Sequence, residues 1–264
     1  ELRRYFGNQQ QARVFTSATL SVDGNFTHFK QLTGLPGETE DRTWGSPFDY
    51  YNQAVLYVPE GMPAPKDDTF SDVLFARALP ILEASQGAAF VLFTSFKIMQ
   101  GFADMLEDRG FNVLVQGDTN KRELLREFVA KPKSVLLGTM SFWEGVDVPG
   151  DALRCVVIDK LPFESPFDPV IKARLKAMQD DGDNPFMNYQ VPRAVITLRQ
   201  GAGRLIRSSQ DKGVLMICDP RLRTTNYGRL FLNSLPRMRR TSNEDKVAQF
   251  LARLAAESEE KTDV

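Results

Sequence analysis

The run Ala88-Ala89-Phe90-Val91-Leu92-Phe93 is apolar throughout and stops at two hydroxyl residues, Thr94 and Ser95. A strand of a parallel sheet is buried on both faces, so its sequence is continuously apolar and does not alternate with polar residues. The run therefore predicts a strand inside a sheet, with its hydroxyl residues at the carboxyl end.

The same pattern recurs along the chain. Short apolar runs that predict strands occupy residues 12–20, 54–58, 111–115, 134–137, 154–159 and 213–218. Helical patterns lie among them at residues 26–32, 70–85, 97–109, 121–130 and 169–179. Strands that alternate with helices predict an α/β fold with a mostly parallel sheet covered by helices on both faces.

Ligands of such sheets bind at the carboxyl ends of the strands. The hydroxyl and glycine residues at the predicted strand ends should therefore gather along one rim. These residues are Ser17, Thr19, Thr94, Ser95, Gly138 and Thr139.

The stretch Gln200-Gly201-Ala202-Gly203-Arg204-Leu205-Ile206-Arg207 has the pattern Q-x-x-G-R-x-x-R and follows an amphipathic run at 191–198. On a helix, Arg204 and Arg207 would share a face, since residues three apart are neighbours. Two adjacent guanidiniums repel each other unless an anion lies between them, and phosphate suits two planar donors. The pattern predicts a phosphate site, and the alternative is a surface helix with solvated arginines.

The composition is that of an ordinary globular protein, with 264 residues of which 42% are hydrophobic and 25% are charged. No apolar stretch reaches the roughly 18–20 residues that span a bilayer, which predicts a cytoplasmic protein without membrane contact. Cys155, Cys218 and the single histidine, His28, are too few for a zinc or iron–sulfur site, so we predict no metal. Both cysteines lie in apolar runs, as expected of buried thiols in a reducing compartment.

The net charge of −1 conceals an uneven distribution. Residues 193–240 contain eleven Lys or Arg and two Asp, whereas residues 244–264 contain six acidic and three basic residues. A basic block of this size indicates a polyanionic partner or a phosphate-rich ligand. The alternative is a mixed surface on which these charges are scattered.

The stretch 138–150, GTMSFWEGVDVPG, taken together with 200–207, resembles motifs V and VI of a superfamily 2 helicase. The residues of these motifs are similar to those of the DinG/XPD-like branch of DNA helicases, and most similar to those of its YoaA-like group. Other segments that resemble that branch occur in the order that the branch has: residues 16–20 as motif III, residues 91–95 as motif IV, then residues 160–166 and 219–221. The resemblance covers most of the chain.

Such helicases hydrolyse ATP between two RecA-like domains. The first domain carries a P-loop lysine, an acidic Mg²⁺ box and, in this branch, a four-cysteine iron–sulfur cluster. None of these three signatures occurs here, and the chain opens on Glu1 and not on methionine. The resemblance implies the second motor domain, which contacts the first. ATP, Mg²⁺ and the 4Fe-4S cluster would belong to the full-length enzyme, a 5′→3′ helicase of DNA repair or replication. We expect no cofactor on this piece and no ATPase activity from it alone.

The resemblance assigns roles to individual residues. Arg207 would be the arginine finger, while Arg204 and Gln200 would bind and position phosphate. Gly203 and Gly145 would contact nucleotide. Glu144 and Asp147 would hydrogen-bond with the motif VI arginines or with nucleotide, although a plain surface position stays open for these two acids. Thr94, Ser95 and Thr139 would bind phosphates of single-stranded DNA. Phe142 and Trp143 would stack on bases or, alternatively, fill the core. Ser17 and Thr19 would couple the two motor domains.

Three segments are predicted: a lead-in from a first motor domain at 1–25, the second RecA-like domain at 26–240, and a helical tail at 241–264. In the tail, four apolar residues have helical spacing behind a capping box of Ser242 and Asp245; they are Val247, Phe250, Leu251 and Leu254. This helix would pack on the domain or, alternatively, dock the chi subunit of the DNA polymerase III clamp loader. A nuclease is not favoured, because the sequence contains no carboxylate cluster at metal-binding spacing.

Overall fold

A computed structural model describes residues 12–35, 39–139, 142, 148 and 152–262, with side chains up to residue 258. The strands are β1 (Ala54–Tyr57), β2 (Ala89–Leu92), β3 (Asn112–Val115), β4 (Ser134–Gly138), β5 (Cys155–Ile158), β6 (Gly213–Ile217) and β7 (Arg239–Thr241). They form one sheet in the order β3-β4-β2-β5-β6-β1-β7. Every pair of neighbouring strands is parallel, which confirms the predicted α/β class.

Helices connect these strands. They are α1 (Thr27–Thr33), α2 (Tyr50–Gln53), α3 (Phe70–Ala84), α4 (Phe96–Leu106), α5 (Lys121–Ala130), α6 (Pro169–Asp180), α7 (Val191–Ala202), α8 (Arg221–Thr224), α9 (Gly228–Ser234) and α10 (Glu244–Thr262). A π-helical turn, Phe186–Gln190, leads into α7. Six strand predictions, from 54–58 to 213–218, agree with the structure to within one residue at either end.

The two faces of the sheet carry separate apolar cores. In β1, Ala54 and Leu56 belong to one core and Val55 and Tyr57 to the other, because successive side chains of a strand point to opposite faces. The first core is covered by α5, α7, α8 and α9, and the second by α3, α4 and α10. Both faces of the sheet are therefore covered, as predicted.

Residues 12–20 do not form the predicted strand. Residues 12–17 have no regular structure, residues 18–20 form a turn and a bend, and Val14 is 84% exposed. A strand requires a neighbour that accepts its backbone hydrogen bonds. The edge strands β3 and β7 do not pair with this segment, so its β-branched and aromatic residues alone do not produce a strand.

The C-terminal helix packs on the domain. Val247 and Leu251 of α10 are both 0% exposed and lie in the core with α3. Its cap differs from the predicted capping box: Asn243 Oδ1 accepts from Lys246 N at 2.9 Å, and Asn243 N donates to Thr241 Oγ1 at 3.0 Å. The helix begins one residue later than a Ser242 cap would require, because the preceding residues pair as β7 against β1.

Candidate functional site

The predicted site residues lie at two opposite edges of the sheet. Thr94 and Ser95 follow β2, and Gly138 and Thr139 end the adjacent strand β4, so these four share the carboxyl edge. The segment 203–212 leads into the amino end of β6 and therefore lies at the opposite, amino edge. The expectation of one rim is correct for four residues and wrong for Ser17 and Thr19, which follow no strand.

At the carboxyl edge, Thr94 is fixed by a buried carboxylate. Thr94 N donates to Asp159 Oδ1 at 3.1 Å, and Thr94 Oγ1 donates to Asp159 Oδ2 at 3.3 Å. Asp159 is 0% exposed and also accepts from Lys160 N at 2.7 Å. Burial raises the pKa of Asp159 from 3.8 to about 7, while the Lys160 charge and the hydrogen bonds act in the opposite direction.

Thr139 has an equivalent support on the next strands. Gln116 Oε1, just past β3, accepts from Thr139 N at 2.7 Å and from Thr139 Oγ1 at 3.0 Å. The hydroxyl hydrogens of both threonines are therefore directed into the protein. Ser95 is different, since its side chain caps none of the backbone amides at the start of α4. Of the three predicted phosphate contacts, Ser95 best fits a hydroxyl donor to a ligand.

Phe142 does not present its ring to a ligand. It is 3% exposed and belongs to the core under α5 and α7. A Cβ atom at Gly138 would lie 2.8 Å from Phe142 Cβ, so glycine allows this close packing. The structure thus corrects the prediction of base stacking by Phe142 in favour of the core alternative. Trp143, Glu144, Gly145 and Asp147 lie outside the described residues, and their assignments stay predictions.

At the amino edge, Arg207 is carried by a tightly hydrogen-bonded loop. The Asp211 carboxylate accepts from Arg207 N at 2.7 Å, from Ser208 N at 2.9 Å and from Ser208 Oγ at 2.5 Å. Gln53 Nε2 donates to both Ser208 O and Asp211 O at 2.8 Å. Asp211 and Gln53 are each 6% exposed, so two buried polar side chains fix the backbone that presents Arg207.

The predicted shared helix face of Arg204 and Arg207 is wrong. Helix α7 ends at Ala202 with Gly203 as its cap, so both arginines follow the helix. Arg204 Nε turns back and donates to Gln200 O at 3.1 Å. Burial lowers the pKa of Arg207 and the Asp211 carboxylate opposes that shift. A guanidinium still remains charged at neutral pH, so the loop presents a permanent cation.

Ser17 and Thr19 lie beside the end of α7. Arg199 Nη1 donates to Ser21 O at 2.6 Å and Arg199 Nη2 donates to Ala18 O at 2.8 Å. Ser17 Oγ and Thr19 Oγ1 are 3.3 Å apart. Arg199 therefore attaches the segment that carries both hydroxyls to the helix that carries Gln200.

Sequence reasoning missed the supporting residues: Asp159, Gln116, Gln53, Asp211 and Arg199. Only the position of Asp159 could have been noticed in the sequence, because it is an acidic residue directly after an apolar run that predicts a strand. Gln53 left no such signal, because its partners lie 155 and 158 residues away in the sequence.

The described residues contain no group of three or more His, Cys, Asp or Glu side chains that could hold a metal ion. None of the helices in this part of the chain is both long and apolar enough to cross a bilayer. The functional groups of the two edges are hydroxyls, amides and guanidiniums, which are groups that bind anions.

The seven-stranded parallel sheet covered by helices is a RecA-like fold of the helicase type. The chain belongs to the helicase C-terminal domain family, which matches residues 78–238. It is 47% identical over 251 residues to ATP-dependent DNA helicase YoaA of Haemophilus influenzae, an alignment that covers 93% of this chain and 39% of the relative. It is 46% identical over 240 residues to ATP-dependent DNA helicase YoaA of Escherichia coli, with 90% and 38% covered. These comparisons confirm the predicted resemblance.

Among solved structures, S. tokodaii Xpd4 is similar in fold, with a TM-score of 0.51, 17% identity, and coverage of 73% of this chain and 38% of that one. The chain spans about two fifths of the length of the curated relatives that it matches.

Proposed function

We propose that this chain is the second motor domain of an ATP-dependent DNA helicase that acts in DNA repair or replication. It would close a nucleotide cleft together with the first motor domain of the same protein. The observation that carries this proposal is the loop that holds Arg207 at the amino edge through Asp211 and Gln53. Such a loop supplies a fixed cation without a phosphate cradle of its own, which is what one half of a shared ATP site requires.

Arg207 would neutralise the charge that develops on the transferring γ-phosphoryl group. Arginine fingers contribute about 10³–10⁵ in rate where they are used. Arg204 and Gln200 would orient the phosphates, and Gly203 would let the nucleotide approach the backbone. Glu144, Gly145 and Asp147 complete the proposed nucleotide contacts.

The carboxyl edge would bind single-stranded DNA. Ser95 and the backbone around Thr94 and Thr139 would contact phosphates, which position a strand without reading its sequence. The basic block at 193–240 is divided between the two edges, because Arg204 and Arg207 lie at the amino edge, so it is not a single DNA-binding patch. Trp143 stays a proposed stacking residue, and the 5′→3′ polarity is supported by the family resemblance alone.

The two edges would move as one body. The strands between them are four or five residues long, so roughly 15 Å of buried sheet separates nucleotide from DNA. Closure on ATP at the amino edge would therefore displace the carboxyl edge along the DNA. Ser17 and Thr19, attached through Arg199, would transmit that closure from the first domain.

Nucleotide and metal would be held mainly by the first motor domain. Bound Mg²⁺ would supply charge neutralisation at the phosphates, with its ligands expected from the first motor domain. Cys155 and Cys218 are both 0% exposed within the core, so they do not fit a cluster site. A 4Fe-4S cluster would therefore lie elsewhere in the full-length enzyme. A cytoplasmic location stays a prediction.

ATP turnover tests the proposal. The 264-residue chain alone should show no turnover with or without single-stranded DNA. Fused to the first motor domain of a YoaA relative, it should become a DNA-stimulated ATPase. Arg207→Ala in the fused enzyme should reduce kcat by at least about 10³, with Arg207→Lys as the charge-matched control. Turnover by the chain alone that disappears in Arg207→Ala would show a complete site and refute the proposal. An unchanged kcat in the fused variant would refute the finger.

The alternative of docking a chi-type clamp-loader subunit through the C-terminal helix is less well supported. Its apolar residues Val247 and Leu251 are fully buried against the domain, so they offer no surface to a partner. Deletion of residues 242–264 would also remove Val247 and Leu251 from the core, so a pull-down tests docking with a substitution on the exposed face of the helix, such as Arg253→Ala.

A further inference from the structure

Phe96 is an exposed aromatic side chain at the carboxyl edge. It is the first residue of α4 and directly follows Thr94 and Ser95, and it is 51% exposed. Its neighbour Phe93 is 0% exposed, and Phe142 of the same edge is 3% exposed. Single exposed apolar residues are common on protein surfaces, so exposure alone does not assign a role.

The position of the ring is more informative. A Cβ atom built at Gly117 would lie 3.7 Å from Phe96 Cζ, so the ring lies next to the backbone that follows β3. Gly117 has a φ of +113°, a conformation that favours glycine. Strand β4 lies between β2 and β3 in the sheet. The side chain of Phe96 therefore starts after the end of β2 and reaches the backbone that follows β3, at the carboxyl edge of the sheet.

We infer that Phe96 is a stacking platform for a base of single-stranded DNA, an inference that rests on the proposed DNA edge. A half-exposed ring loses its remaining water contact when a base covers it, and stacking of this kind tolerates any base. Ser95, one residue before the ring, would contact a phosphate of the same nucleotide. Exposed Lys97, one residue after it, adds a cation for the backbone. Phe96 thus takes the role that the sequence had assigned to the buried Phe142.

Binding to two oligonucleotides separates stacking from phosphate contact. The 264-residue chain would be titrated into fluorescent oligo(dT) and into an abasic oligonucleotide of equal length, and anisotropy would be read at low salt. Phe96→Ala should weaken oligo(dT) binding between about 5-fold and 150-fold, the range for one stacked base. Its binding to the abasic strand should stay within about 2-fold of wild type, since the phosphates are unchanged.

Matched variants define the controls. Phe96→Tyr keeps the ring and should bind both strands as wild type does, whereas Phe96→Leu keeps an apolar side chain and should lose oligo(dT) affinity. Tyr51→Ala removes an equally exposed ring, 60% exposed on α2 at the opposite edge, and should change neither affinity. Phe96→Leu also provides a second test if Phe96→Ala does not fold.

Each outcome decides the matter. Equal losses on both strands, or full oligo(dT) affinity in Phe96→Ala and Phe96→Leu, would overturn stacking. Ser95→Ala should weaken binding to both oligonucleotides, so its effect tests the DNA edge independently of Phe96. A wild-type chain that binds neither strand would refute the proposed DNA edge, and the inference would fail with it.

Discussion

Asp159→Asn tests how the carboxyl edge is organised. Asp159 Oδ1 accepts both backbone hydrogen bonds, from Thr94 N and Lys160 N, and Oδ2 accepts from the Thr94 hydroxyl. An asparagine of the same shape can keep both backbone bonds on its oxygen and donate to Thr94 Oγ1 with its amide. The substitution therefore removes the titratable group and retains the geometry.

The magnitude follows from the burial of the carboxylate. Its pKa rises from 3.8 to about 7 on folding, so the folded state binds the proton more tightly than the unfolded state. That stabilisation is complete below pH 3.8 and is lost as the pH rises through about 7. At about 1.4 kcal/mol per pH unit, the total is about 4 kcal/mol, of which about 2 kcal/mol is lost between pH 5 and pH 7.

Urea unfolding of wild type and Asp159→Asn at pH 5, 7 and 9 measures this difference. The variant should be the more stable protein, and its advantage in free energy of unfolding should grow by about 3 kcal/mol from pH 5 to pH 9 and level off above pH 7. High salt should leave the gap unchanged, because a desolvation effect on a buried group is hardly screened. A gap that is constant from pH 5 to pH 9 would refute the reasoning.

Three further predictions test the amino edge and the C-terminal helix by urea unfolding. Asp211→Ala should cost about 1–3 kcal/mol, since three donors lose a buried acceptor; an unchanged midpoint would mean that the loop is held by other contacts. Leu251→Ala should lower the free energy of unfolding by about 2–5 kcal/mol. Arg253 is exposed, so Arg253→Ala should stay within about 0.5 kcal/mol of wild type. Equal effects of the two substitutions would contradict packing of α10 on the domain. Asn243→Ala should lower the free energy of unfolding by about 1 kcal/mol, and Ser242→Ala should lower it by less. The reverse order would support the capping box that was predicted from the sequence.

Strand positions were predictable because fully buried parallel strands leave unbroken apolar runs. Strand β7 was missed because Arg239-Arg240-Thr241 is polar, as an exposed edge strand is allowed to be. The strand predicted at residues 12–20 was wrong for the opposite reason. Its composition suits a strand, but strand formation depends on a neighbour that the sequence pattern cannot show.

The family of the chain was predictable from motifs, whereas the geometry of the candidate site was not. Spacing placed Arg204 and Arg207 on a helix, but the structure ends that helix at Ala202. What fixes Arg207 instead is a contact between Gln53 and residues far along the chain. Likewise, no local pattern distinguishes a ring that packs under β4, as Phe142 does, from one that faces a ligand.

The deep burial of both cysteines has a practical consequence. Burial raises the pKa of Cys155 to about 12 and raises that of Cys218 well above its usual value, and the thiolate is the reactive form of the side chain. Maleimide dyes should therefore not react with the two native thiols. A cysteine introduced at an exposed site on either edge, such as Lys97 or Gln210, should be labelled alone. With a second dye on a bound oligonucleotide, the distance between the labelled edge and the DNA would then become measurable by energy transfer in an otherwise unaltered sequence.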